Sequence, residues 1–166
     1  MRSLFILSTV TALFFAAAPA RAEPFEQGSM RVGLGGGLGT NPYTGDRYGV
    51  VGGSFGYFVV NGLELSLGGA TTIGADINAA HLRPGVTFVA FMVPTIKPYV
   101  GPVYTHYFYG DPFDDADAVG ARGGLFYVSP QSRTFLGIGV LYERIVSTCD
   151  EDCTAIIPEL TFSISF

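Results

Sequence analysis

The last seven residues, Leu160-Thr-Phe-Ser-Ile-Ser-Phe166, alternate strictly between apolar and polar side chains. Successive side chains of a β-strand point to opposite faces. Leu160, Phe162, Ile164 and Phe166 therefore share one face, and Glu159, Thr161, Ser163 and Ser165 the other. A helix would scatter both sets around its circumference. Leu63-Glu-Leu-Ser-Leu67 repeats the pattern. Beyond the N-terminal stretch no segment holds the roughly 18 apolar residues that a spanning helix needs. The 23 Gly and 10 Pro would also break most helices of useful length. The sequence predicts an all-β fold.

The N-terminus follows a different rule. Arg2 precedes an apolar run from Leu4 to Ala18, and Ala20-Arg21-Ala22 fits the small-x-small site of a signal peptidase. Residues 1–22 are expected to be a signal peptide and residues 23–166 one domain of ordinary size. Cleavage would remove Arg2 and Arg21 from the 9 Lys+Arg and none of the 14 Asp+Glu. A chain that acidic lacks the basic face that phosphate contacts require, which excludes nucleic acid as a partner. Export also bears on Cys149 and Cys153, the two cysteines of the chain. An oxidising compartment favours a disulfide between them, whereas a metal site would need further ligands at matched spacing.

Eight strands are expected: Met30–Gly39, Tyr48–Val60, Leu63–Ile73, Ala79–Val93, Tyr99–Tyr109, Ala118–Val128, Thr134–Val146 and Ala155–Phe166. Short connections (Asn61-Gly62, Pro94–Pro98, Ser129–Arg133) alternate with longer polar ones (Thr40–Arg47, Gly74–Asn78, Gly110–Asp117, Ser147–Thr154). An antiparallel barrel crossing a membrane has this asymmetry, with short turns on one side and longer loops on the other. Composition separates it from a secreted soluble barrel of the lipocalin kind. Apolar residues make up 48% and charged residues only 14%, too few charges to cover a soluble barrel's outer face. The expected fold is an eight-stranded antiparallel up-and-down transmembrane β-barrel.

In this architecture the chain resembles the small eight-stranded outer-membrane barrels of the OmpA-domain and OmpX type and the opacity-type surface proteins. The terminal Leu160, Phe162, Ile164 and Phe166 resemble the signal read by the outer-membrane assembly machinery. The resemblance implies a Gram-negative-type outer membrane as location. It also implies lipid and lipopolysaccharide as surroundings and a monomeric state. The chain departs from the pattern in having no Trp. An interfacial girdle would fall to Tyr and Phe, with Tyr99, Tyr107, Tyr109, Tyr127 and Tyr142 as candidates.

If Phe166 faces lipid, parity turns Glu159 inward, and the same rule turns Arg31, Glu64, Arg83, Arg122 and Glu143 into the lumen. Three Arg and three Glu are expected to satisfy one another there, since an unpaired buried charge is costly. The run Gly33-Leu-Gly-Gly-Gly-Leu-Gly39 lacks the context of a phosphate loop. Gly33, Gly35 and Gly37 are expected to leave lumen space opposite bulky partners such as Phe58, Phe126 and Phe135.

Three functional readings compete. A lipid A-modifying enzyme would need His81 or His106 near Glu143, all close to the external strand ends, but no serine cluster accompanies them. The acids Asp111, Asp114, Asp115, Asp117, Asp150, Glu151 and Asp152 crowd two external loops and could attract cations, yet their spacing does not match an EF-hand loop and acidic runs are most often simply solvated. A narrow channel is the third, although eight strands leave little free lumen. The expected role is non-enzymatic, without cofactor or bound metal. It is structural or surface-interacting, with the external loops meeting a partner.

Overall fold

The computed structural model describes residues 24–40, 47–74, 79–110, 114–129, 133–147 and 153–166; the expected signal peptide lies outside them. The strands are β1 (Met30–Thr40), β2 (Arg47–Val60), β3 (Leu63–Ile73), β4 (Ala79–Val89), β5 (Ile96–Tyr109), β6 (Ala116–Val128), β7 (Thr134–Ile145) and β8 (Thr154–Ser165). Each pairs antiparallel with its neighbour in sequence. β1 meets β8 from Arg31↔Ser165 to Gly37↔Glu159, which closes the barrel and leaves no free edge.

The expected β3 coincides with the observed one, and the largest difference is at the end of β4. That strand stops at Val89 instead of running to Val93. Phe91 instead packs against a cluster of buried aromatics, and Lys97 Nζ donates to the carbonyls of Phe91 and Val93. Thr95 completes the turn with a φ of 63°. The Ala90–Thr95 connection is thus no shorter than 41–46, so the contrast in loop length is weaker than the sequence suggested.

The side chains are arranged inside out relative to a soluble barrel. Leu34, Leu38, Val100, Ile138 and Ile156 stand exposed on the outer surface, whereas Arg31 is 1% and Glu64 0% exposed in the lumen. Leu160, Phe162 and Ile164 face outward as parity required, and Phe166 is half-buried with its N–H and C=O paired to Met30. An apolar exterior around a charged interior suits lipid, and it overturns the soluble alternative.

The expected tyrosine girdle needs correction. Tyr127 and Tyr142 do face outward, joined by Tyr57 and Tyr104. Tyr99 is buried in the lumen, and Tyr107 and Tyr109 stack on each other at 5.9 Å on its inward face. The same parity rule that placed the charges assigns these three tyrosines inward.

At the turn end of the barrel the interior is apolar. Phe25, Phe58, Val89, Tyr99, Phe126, Val128 and Phe135 form one buried cluster. Phe25 precedes β1 and folds back into the mouth with a φ of 75°, its ring centroid 5.0 Å from Phe135 and 5.6 Å from Phe58. Its carbonyl accepts the Gly62 N–H at 2.8 Å. Gly62 supplies the positive φ of the Asn61-Gly62 turn. A Cβ there would meet Phe91 and the Val89 carbonyl at 2.6 Å.

Candidate functional site: the lumenal charge network

Above the aromatic layer all six predicted strand charges are turned toward the lumen, buried or half-buried. On β1 and β3, Arg31 Nε donates to Glu64 Oε1 at 2.7 Å and Arg31 Nη1 to Ser163 at 3.3 Å. The Arg31 guanidinium also lies 5.9 Å from the Phe126 ring centroid, which ties this pair to the aromatic layer. Gly56 provides the space: a Cβ there would sit 1.6 Å from Glu64 Oε1.

Nearer the long loops, Arg83 of β4 reaches across the lumen. It lies 3.3 Å from Glu143 of β7 and 3.4 Å from Glu159 of β8, and its Nε donates to Thr105 Oγ1 at 2.9 Å. Glu143 in turn accepts from the hydroxyls of Thr105 and Tyr107. Three hydrogen bonds, from Thr105, Tyr107 and Arg83 Nη2, thus converge on this one carboxylate, and bonds to a charged acceptor are the stronger kind. Thr105 and Tyr107 were absent from the sequence-based set, although their parity with Tyr99 marks them as inward.

Arg122 is the exception to mutual pairing. Among the described residues it makes no ion pair; its guanidinium lies 5.5 Å from the Tyr99 ring centroid, and Nε is buried without a hydrogen-bond partner. The expectation that three Arg and three Glu neutralise one another pairwise therefore fails here, because Arg83 takes two of the carboxylates.

The glycine expectation also changes. Phe58, Phe126 and Phe135 do not stand opposite Gly33, Gly35 and Gly37 but lie in the aromatic layer at the turn end. Gly33 instead adjoins Ser54, Ser163 and Arg31. Gly35 and Gly37 border a lumenal cavity of about 100 Å3.

The structure separates the two histidines. His81 is inward and 6% exposed, its ring 5.4 Å from that of Tyr107. His106 occupies an outward position on β5, with Nδ1 2.7 Å from Asp117 and Nε2 3.8 Å from Asp115. Asp117 also accepts from Tyr104, and Asp115 from the Tyr109 N–H at 3.1 Å. Among the described residues no group of three or more His, Cys, Asp or Glu is arranged to hold a metal ion. Asp114 is described and exposed; Asp111, Asp150, Glu151 and Asp152 lie outside the described residues. Cys149 lies outside them as well, while Cys153 is no free thiol.

No protein-family model and no curated protein matches the sequence. Solved structures do match in three dimensions. The N-terminal β-barrel domain of Pseudomonas aeruginosa OprF is 19% identical with a TM-score of 0.61, over 84% of this chain and 98% of that one. Neisserial surface protein A is 12% identical with a TM-score of 0.64, over 83% and 96%. OprG of Pseudomonas aeruginosa is 12% identical with a TM-score of 0.54, over 88% and 99%. At such identities the likeness is one of fold, and inside-out polarity and closed eight-strand topology agree with it: the chain has the fold of the small eight-stranded outer-membrane β-barrels.

Proposed function

We propose that this is an outer-membrane protein with a structural or surface-interaction role and no catalytic activity. The barrel acts as a rigid anchor in lipid and lipopolysaccharide. The loops Thr40–Arg47, Gly110–Asp117 and Ser147–Thr154 form the working surface toward an extracellular partner. Leu160, Phe162, Ile164 and Phe166 serve as the assembly signal after removal of residues 1–22. The observation that supports this reading is the lumen, plugged at its turn end and bridged by ion pairs above that plug. Phe25, Phe58, Phe126 and Phe135 pack the turn-end mouth, and Arg83 bridges to Glu143 and Glu159 above it. Such an interior favours a role at the exterior over passage through the barrel.

Single-molecule conductance in a planar bilayer tests the proposal, with folding checked by heat-dependent gel mobility. A folded, inserted and silent barrel is the expected result. Discrete current steps that vanish on heat unfolding would replace this reading with a narrow channel. Lipid A that changes on expression of the chain, and no longer changes with His81→Ala or His106→Ala, would replace it with an enzyme.

A further inference from the structure

The lumen's charges are balanced in number but not in placement. Arg31 takes Glu64, Arg83 takes both Glu143 and Glu159, and Arg122 has no carboxylate within ion-pair distance among the described residues. A guanidinium does not shed its proton at ordinary pH, so burial cannot neutralise it. The Tyr99 ring accounts for one face of Arg122 and leaves the buried Nε–H without an acceptor.

Arg122 borders the lumenal cavity of about 100 Å3, several times the space of about 10–15 Å3 that one water needs. Arg31, Arg83 and Arg122 all line it, and Glu159 is the one carboxylate on its wall among the described residues. His81 lines it too, with a buried Nδ1 that has no partner. The opposite wall is kept open by glycines of β1 to β3, including Gly35, Gly52 and Gly68. A concave site in which one guanidinium, Arg122, has no carboxylate partner among the described residues suits a compact anion, because the planar fork can donate two parallel N–H bonds to one oxyanion. We propose that this cavity binds a compact oxyanion of the phosphate, sulfate or carboxylate class, with Arg122 as its principal donor.

The test uses the purified chain refolded into phosphatidylcholine vesicles and follows its urea midpoint. Sodium phosphate or sodium acetate is titrated against sodium chloride at matched ionic strength. The expected result is a saturable rise of the midpoint with at least one oxyanion and none with chloride. Arg122→Gln should weaken the apparent affinity at least about tenfold, the loss of one charge-assisted hydrogen bond. Arg122→Lys should retain part of it. A response to phosphate alone assigns a tetrahedral oxyanion, and a response to acetate assigns a carboxylate. Equal responses in Arg122→Gln and the unaltered chain overturn the proposal. If Arg122→Gln does not insert, calorimetric titration of the unaltered chain with the same two salts decides, and the lack of a saturable heat overturns it.

Discussion

Arg31 and Glu64 meet at 2.7 Å with side chains 1% and 0% exposed, so each is the other's countercharge in a region shut off from solvent. Removing one partner leaves a buried charge uncompensated, at a cost of about 3–5 kcal/mol. Glu64→Gln and Arg31→Gln are each expected to lower the unfolding free energy by that amount, read from urea titrations in vesicles. The double variant Arg31→Met/Glu64→Met should recover most of the loss. Arg122→Gln should cost far less, since no carboxylate is left behind.

Gly56 and Gly53 are close in sequence on β2 but not equivalent. A Cβ at Gly56 would sit 1.6 Å from Glu64 Oε1, whereas one at Gly53 would meet nothing nearer than 3.5 Å. Gly56→Ala is expected to expel the Glu64 carboxylate and destabilise at least as much as Glu64→Gln. Gly53→Ala should change stability by no more than about 0.5 kcal/mol. Parallel urea midpoints of the two variants decide it.

Phe25 fills the turn-end mouth from outside the strands. Phe25→Ala removes a fully buried ring that touches Phe58, Phe126 and Phe135, for which a loss of about 3–5 kcal/mol is expected. The barrel should still close, because no strand pairing depends on that side chain. Heat-modifiable gel mobility with a lowered midpoint is the expected observation. An unchanged midpoint would mean that the ring adds nothing to the seal.

Leu34 stands 67% exposed midway along β1, between Gly53 and Phe162 of the neighbouring strands. In lipid, an arginine at such a depth costs about 2–4 kcal/mol. Leu34→Arg should therefore lower stability by this amount in vesicles. Were that face in water, the same substitution would be nearly neutral, so the vesicle measurement tests the lipid-facing assignment.

Cys149 and Cys153 are expected to be bridged in the exported chain. Maleimide should label neither until a reductant is added. Reduction should lower the unfolding free energy by no more than about 2 kcal/mol, because a bridge across so short a loop removes less unfolded-state entropy than one closing a long loop. Labelling without reductant would refute the bridge.

Most of the architecture was legible in the sequence. Alternation is local: it depends only on where each Cβ points, so Leu160 to Phe166 announced both a strand and its two faces. Chaining that parity along the strands turned all six charges inward, and the structure agrees. Applied to aromatics, the same rule would have moved Tyr99, Tyr107 and Tyr109 off the girdle. Phe25 carried no such signal, because it lies before the first strand and its position follows from the Gly62 and Gly28 backbone bonds.

The amino-acid order thus determined that this chain is a closed β-structure with an apolar exterior and a charged interior, because period and polarity are properties of neighbours in sequence. Which charges meet was decided by tertiary structure. Barrel shear sets the height of each inward residue, and long side chains reach across the lumen to other strands. Arg83 of β4 could therefore take Glu143 of β7 and Glu159 of β8, leaving Arg122 at the cavity without an ion-pair partner among the described residues.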